Sequence, residues 1–215
     1  MPAAAQPKWL EWAKRLQAMA QNGLNYAQDR YDIQRYREMA EIAMEMMAQG
    51  SETDFSRVRS LFAHETGHAT PKVDVRVAAF QDAAQGPEIL LVRERRDGAW
   101  TLPGGWADVG ETPSEAARRE MREESGFDVK ITRLLAAYDK RMHPHPPQPY
   151  YVYKLFFEAE ILNRSSATGD GFETDAVGFF APDALPPLSL DRTVPGQILR
   201  MFELHAAPGG AADFD

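Results

Sequence analysis

The 215-residue sequence contains no cysteine. That excludes disulfides, thiolate metal sites and cysteine nucleophiles. Long apolar runs are missing too, and nothing approaches the ~20 residues that a membrane-spanning helix needs. The opening MPAAAQPKWLEW has no apolar core of the signal-peptide kind and meets Trp and Glu early, so the expected location is the cytoplasm. A basic excess is also lacking. Net charge is −8, with −1 in residues 1–70 and −7 in the remainder. Such a chain does not draw in a nucleic-acid backbone through its overall field. To hold phosphates it needs local Arg or Lys, or a metal gathered by its own acidic groups.

What is present is ordinary for a globular protein: 44% apolar and 26% charged residues. The length suits one moderate core, or one domain with a small partner. Residues 1–70 read as helical. Trp9, Leu10, Trp12, Ala13, Leu16 and Met19 recur at near-helical spacing, with Asn22-Gly23 as the expected stop. A second helix over about 29–48 carries Tyr36, Met39, Ala43, Met46 and Met47. A third, capped by Ser51 or Thr53, carries Phe55, Val58, Leu61 and Phe62. Three short helices bury little alone, so a homodimer is expected.

The period changes at Pro71. Lys72–Val77 alternates and predicts a strand with one wet face; Glu88–Val92 predicts a second strand and Asp97-Gly98 a hairpin turn. A helix over Pro113–Glu124, strands at about 127–138, 150–162 and 174–180, and a last helix from Asp191 follow, ending in a frayed tail. Strands interleaved with a few helices imply an α+β domain, a mixed sheet with helices on both faces, over residues 71–215.

His64-Glu65-Thr66-Gly67-His68 spells H-E-x-x-H. A zinc helix requires both histidines on one continuous helical face. Gly67 inside the pattern, and Ala69-Thr70-Pro71 directly after it, oppose that helix, and no third ligand follows. The pattern reads as a connector into the first strand.

The chemistry lies at 105–127, GWADVGETPSEAARREMREESGF. Glu120, Glu123 and Glu124 share one helical face. Carboxylates so crowded repel one another unless a cation joins them, and oxygen donors suit Mg²⁺ or Mn²⁺. Arg119, four residues before Glu123, is placed to orient a carboxylate, and Glu111 to reach the metal or Arg119. Gly104 and Gly105 permit a tight loop beside the helix, and Gly126 ends it. Gly105, Glu120, Glu123 and Glu124 form the candidate metal set. Glu120 and Glu124, with Arg119, are the first candidates for catalysis; Glu173 and Asp175 are secondary ones.

This run resembles the Nudix box, G-x5-E-x7-R-E-U-x-E-E-x-G-U with U bulky and apolar, at every position, and the preceding Leu102-Pro103-Gly104-Gly105 is similar to the family as well. The resemblance implies an α/β/α sandwich and metal-dependent hydrolysis of a pyrophosphate bond. The 1–70 segment resembles the helical extension of a bacterial Nudix subfamily that includes CDP-choline pyrophosphatases and proteins labelled as ADP-ribose hydrolases, which implies a dimerisation region. The expected substrate is a small-molecule nucleotide, a nucleoside diphosphate linked to another moiety, with CDP-choline-like compounds ahead of ADP-ribose. RNA 3′-end processing with the same metals is a rival activity. The acidic balance disfavours it, although Arg35, Arg37, Arg57 and Arg59 could line a dimer groove. A nucleotide-sensing scaffold is a third reading, opposed by the intact carboxylate set. Arg76 and Arg93 on the first two strands are candidate phosphate contacts. His143 and His145, in a Pro-stiffened loop, are candidate pocket residues, and Tyr150 or Tyr151 could stack on a base.

Overall fold

The structure, a computed structural model, describes residues 6–163 and 172–215. Two units partition the chain: residues 6–71 with Pro147–Tyr151, and Lys72–Pro146 with Val152–Asp215. No helix among the described residues is long and apolar enough to cross a membrane.

In the first unit, α1 (Lys8–Tyr26) and α2 (Arg30–Gly50) form an antiparallel hairpin, followed by α3 (Phe55–Phe62). The expected stop at Asn22-Gly23 is overturned, because α1 runs on to Tyr26. Gly23 instead makes room for the opposite helix: a Cβ there would lie 2.4 Å from the Tyr36 ring, as one at Gly50 would lie 2.5 Å from Trp9. Asp29 caps α2 by accepting from Tyr31 N at 2.8 Å. Asp54, rather than Ser51 or Thr53, caps α3 through Ser56 N at 2.8 Å. Leu10, Ala13, Met44, Met47, Ala48 and Val58 form the core. Trp12, Met19, Tyr31 and Ile42 stay exposed. The buried Lys14 donates to Tyr150 O at 2.9 Å and lies over the Tyr151 ring.

The second unit is built on one mixed sheet of β1 (Lys72–Ala83), β2 (Gly86–Glu94), β3 (Trp100–Thr101), β4 (Val129–Asp139), β5 (Val152–Ile161), β6 (Thr174–Phe180) and β7 (Asp213–Phe214). β1 and β5 run parallel at its centre, and β6 pairs with β2. Helix α4 (Pro113–Ser125) covers one face: Ala116, Ala117 and Met121 pack with Val75, Val77, Leu90 and Val92. Helix α5 (Pro195–His205) covers the other, with Ile198, Met201 and Leu204 against Ile89, Leu91, Leu102 and Phe156. This is the mixed sheet with helices on both faces that the pattern implies, and the α/β/α sandwich that the family resemblance implies.

Three expectations are corrected here. Both faces of β1 are buried from Asp74 to Ala79, so the wet face expected over Lys72–Val77 is absent there. Its polar residues Asp74 and Arg76 pair with each other inside the protein. The last helix starts at Pro195, not Asp191, because proline at the first helical position fixes the start. The tail is not frayed: β7 pairs with β4 at Ala136 and Ala137. Asp213 there accepts from Tyr138 Oη at 2.7 Å and from Arg200 Nε at 2.8 Å.

Candidate active site

The segment after β3 lies along β1 as a further strand edge. Val77 N donates to Pro103 O, Val75 N to Gly105 O and Ala107 N to Val73 O, at 2.8–3.0 Å. Gly104 adopts φ +141°, and a Cβ there would meet Val75 O at 2.0 Å. Only glycine fits that backbone. A Cβ at Gly105 would meet the Glu120 carboxylate at 2.9 Å, so the bare loop lets this side chain approach.

Helix α4 presents the acids to this loop. Thr112 and Glu115 form a capping box at its start, Pro113 follows, and Gly126 ends it at φ 75°. Arg119 is the clamp. It grips Glu111 with two bonds of 2.9 and 3.0 Å, and reaches Glu120 at 2.8 Å and Glu123 at 3.0 Å. Glu124 is 4% exposed, and its Oε2 accepts from Gly104 N at 2.8 Å. Burial pushes its pKa up to about 8, against the nearby Arg76 charge and the Gly104 N–H. Burial also raises Glu120, against Arg119.

Behind the loop lies a buried charge network. The Arg76 side chain is fully buried; Nε and Nη2 donate to Asp74 at 2.9 and 2.8 Å, and Nη1 to Leu102 O at 3.0 Å. Lys154, 1% exposed, donates to Asp74 at 2.7 Å. Burial alone would raise the Asp74 pKa; Arg76 and Lys154 outweigh it and hold the group well below the usual carboxylate range. Glu94, also buried, lies 3.3 Å from Arg192 Nε, and its charge acts on Glu124 and Arg76.

A NUDIX domain profile matches residues 70–202, and a profile described as a UDP-X-like N-terminal oligomerisation domain matches residues 7–62. The chain belongs to the Nudix family. It is 43% identical over 210 residues, 98% of either chain, to a Bacillus subtilis (strain 168) protein named "Putative ADP-ribose pyrophosphatase YjhB". A crystal structure of a UDP-X diphosphatase superposes over 96% of this chain and 98% of its own, with TM-score 0.61 and 30% identity. An ADP-ribose pyrophosphatase from Streptococcus suis 89-1591 covers 68% of this chain over its full length, with TM-score 0.59 and 38% identity. This Nudix protein is a pyrophosphohydrolase by class.

The Nudix box brings together Gly105, Glu111, Arg119, Glu120, Glu123 and Glu124. Among the described residues no three acidic or imidazole groups surround a single point. Arg119 stands between Glu111, Glu120 and Glu123, and Glu124 faces Gly104. The donor set still fits a hard divalent cation, since burial disfavours the charge on two carboxylates that an added cation would favour. The Gly105 carbonyl, expected among the metal donors, accepts from Val75 N and has one lone pair left.

The other expected contacts lie elsewhere. Arg76 is corrected from a strand-surface phosphate contact to a sealed internal ion pair. Arg93 pairs with Asp175 at 2.7 Å, both half-exposed. Glu173 is exposed, and its carbonyl accepts from Arg95 N. Tyr151 sits under Lys14 in the helical unit. The His143 ring packs on Tyr138, with Nε2 3.3 Å from Asp215. His145 is 6% exposed, and its Nδ1 lies 2.7 Å from Leu190 O. A carbonyl only accepts, so Nδ1 carries the proton.

The sequence pattern does not single out Asp74, Lys154, Glu94 or Arg192 as site residues. For the strand residues the available signal is a polar side chain flanked by apolar ones, as in Val73-Asp74-Val75-Arg76-Val77.

Burial lowers the His145 pKa to about 3, below its usual 6.5. Between those values the unfolded chain binds more protons, so the stability contributed by neutral His145 is present above pH 6.5 and is lost as pH falls toward 3. A His145→Gln protein is expected to show a flatter decline in melting temperature between pH 6.5 and 4 than wild type. Parallel declines would refute that role.

Proposed function

We propose that the protein hydrolyses the pyrophosphate bond of a nucleoside diphosphate linked to another moiety, with Mg²⁺ or Mn²⁺ held by Glu120, Glu123, Glu124 and the Gly105 carbonyl. Supporting it above all is the buried Glu124 carboxyl, set against the Gly104 N–H beside Glu120 and the Arg119 clamp. Bound there, the cation would supply charge neutralisation at the phosphate oxygens. Glu124 or Glu120 takes a proton from the attacking water. The new P–O bond forms as the bridging P–O bond breaks, giving a nucleoside monophosphate and a phosphorylated partner. Arg119 keeps Glu120 and Glu123 oriented throughout.

The full-length resemblance to a protein named for ADP-ribose moves that substrate class ahead of CDP-choline. Residues 7–62 act as the dimerisation region, through a face bearing the exposed Trp12, Met19, Tyr31 and Ile42. Light scattering then gives twice the 24.1 kDa chain mass.

The test is incubation with Mg²⁺ and ADP-ribose, CDP-choline, UDP-sugars or a short RNA, followed by ³¹P NMR. Monophosphate plus phosphorylated partner is the expected result. Cleavage of RNA alone, or of none of these, would overturn the reading.

A further inference from the structure

Of the guanidiniums on the box helix and the strands beside it, Arg76, Arg119 and Arg93 are engaged. Arg76 is sealed and directs its donors to Asp74 and Leu102 O. Arg119 distributes Nε, Nη1 and Nη2 over Glu111, Glu120 and Glu123. Arg93 is bound to Asp175, itself 41% exposed, and no acid of the box is among the charges acting on it.

Arg192 differs. Its Nε lies 3.3 Å from Glu94, whose side chain is only 6% exposed, while its own is 29% exposed. Neither Nη1 nor Nη2 makes a hydrogen bond to another described residue. The backbone beneath it is anchored on both sides. Arg192 N donates to Ser189 O at 2.8 Å, Ser189 N donates to Trp100 O at 2.8 Å, and the Thr193 and Thr101 hydroxyls lie 2.9 Å apart. Glu94 in turn is close enough to Glu124 for its charge to act there.

A guanidinium held by Nε, with two amino ends presented and a fixed backbone, matches two oxygens of a phosphate. We propose that Arg192 binds one phosphate of the substrate's diphosphate and that Glu94 is the positioning residue that aims it. This rests on the pyrophosphohydrolase reading above and gives its site an electrophilic arm that the box lacks.

The test uses the full chain. Binding of AMP and ADP-ribose is measured calorimetrically in EDTA, where no turnover occurs, and KM and kcat are measured with Mg²⁺. Arg192→Gln is expected to weaken both binding and KM by roughly 10- to 30-fold, the range for a lost charge-assisted bond, with kcat within about threefold. Arg192→Lys restores part of the loss. Glu94→Gln raises KM about fivefold, and Glu94→Asp recovers some of it. Should Arg192→Gln melt early, Arg192→Lys carries the comparison, with KM expected about fivefold up at an unchanged melting temperature. Wild-type affinity and KM in the Arg192 variants overturn the assignment while leaving the function standing, as does a fall confined to kcat. A wild-type protein that neither binds nor cleaves these nucleotides overturns both.

Discussion

Glu124→Gln is expected to lower kcat by about 10³-fold, within the range for losing a general base, with the fold intact. The amide oxygen of Gln still accepts from Gly104 N, so the Gly104-Gly105 loop keeps its place. What disappears is a carboxylate with a raised pKa, and with it a proton acceptor and a hard anionic donor. Because burial already opposes that charge, the substitution leaves the melting temperature of the metal-free protein level or raises it. Calorimetry and initial rates on the same preparation separate the two effects. A kcat within tenfold of wild type would remove Glu124 from the chemistry.

The largest stability effect is expected at Asp74. Asp74→Ala leaves Arg76 and Lys154 buried side by side with no counter-charge. Breaking a buried pair in this way costs about 3–5 kcal/mol, a fall in melting temperature of roughly 10 °C. The triple replacement Asp74→Leu, Arg76→Met and Lys154→Met is expected to recover most of the loss, because it removes the charges together rather than stranding two of them. A single Asp74→Ala that melts within about 2 °C of wild type would show that water reaches the network. The pairing also explains why Arg76 stays inside while carrying a full charge.

The box was legible because helical geometry leaves one arrangement for its residues. Spacing alone places Glu120, Glu123 and Glu124 on a shared face, and Gly126 at the end adopts the left-handed turn that the pattern calls for. The mixed sheet with helices on both faces was legible because β2 is an apolar run bounded by turn residues and α4 follows the box spacing, and the resemblance to the family supplied the sandwich. Arg76 was not, since alternation along a strand marks polar positions without telling water from an internal partner. Lys154, 80 residues from Asp74, is joined to it only by the β1–β5 pairing. Arg192 lies in a loop with no period at all. Gly23 misled because glycine ends helices and also lets helices touch; the ring of Tyr36 decides between the two, and it is distant in sequence. A two-residue strand such as β7 carries too few positions to show alternation.

β4 forms one rim of the sheet, and a bare rim is an adhesive strip for other chains. β7 covers it at Ala136 and Ala137, and Asp213 bolts that cover to Tyr138 and to Arg200 of α5. Five glycine- and alanine-rich residues from 208 to 212 are the tether that lets it reach. Proteolytic trimming before Asp213 is therefore expected to bare that stretch of rim to edge-to-edge pairing with other chains, even with every box residue in place.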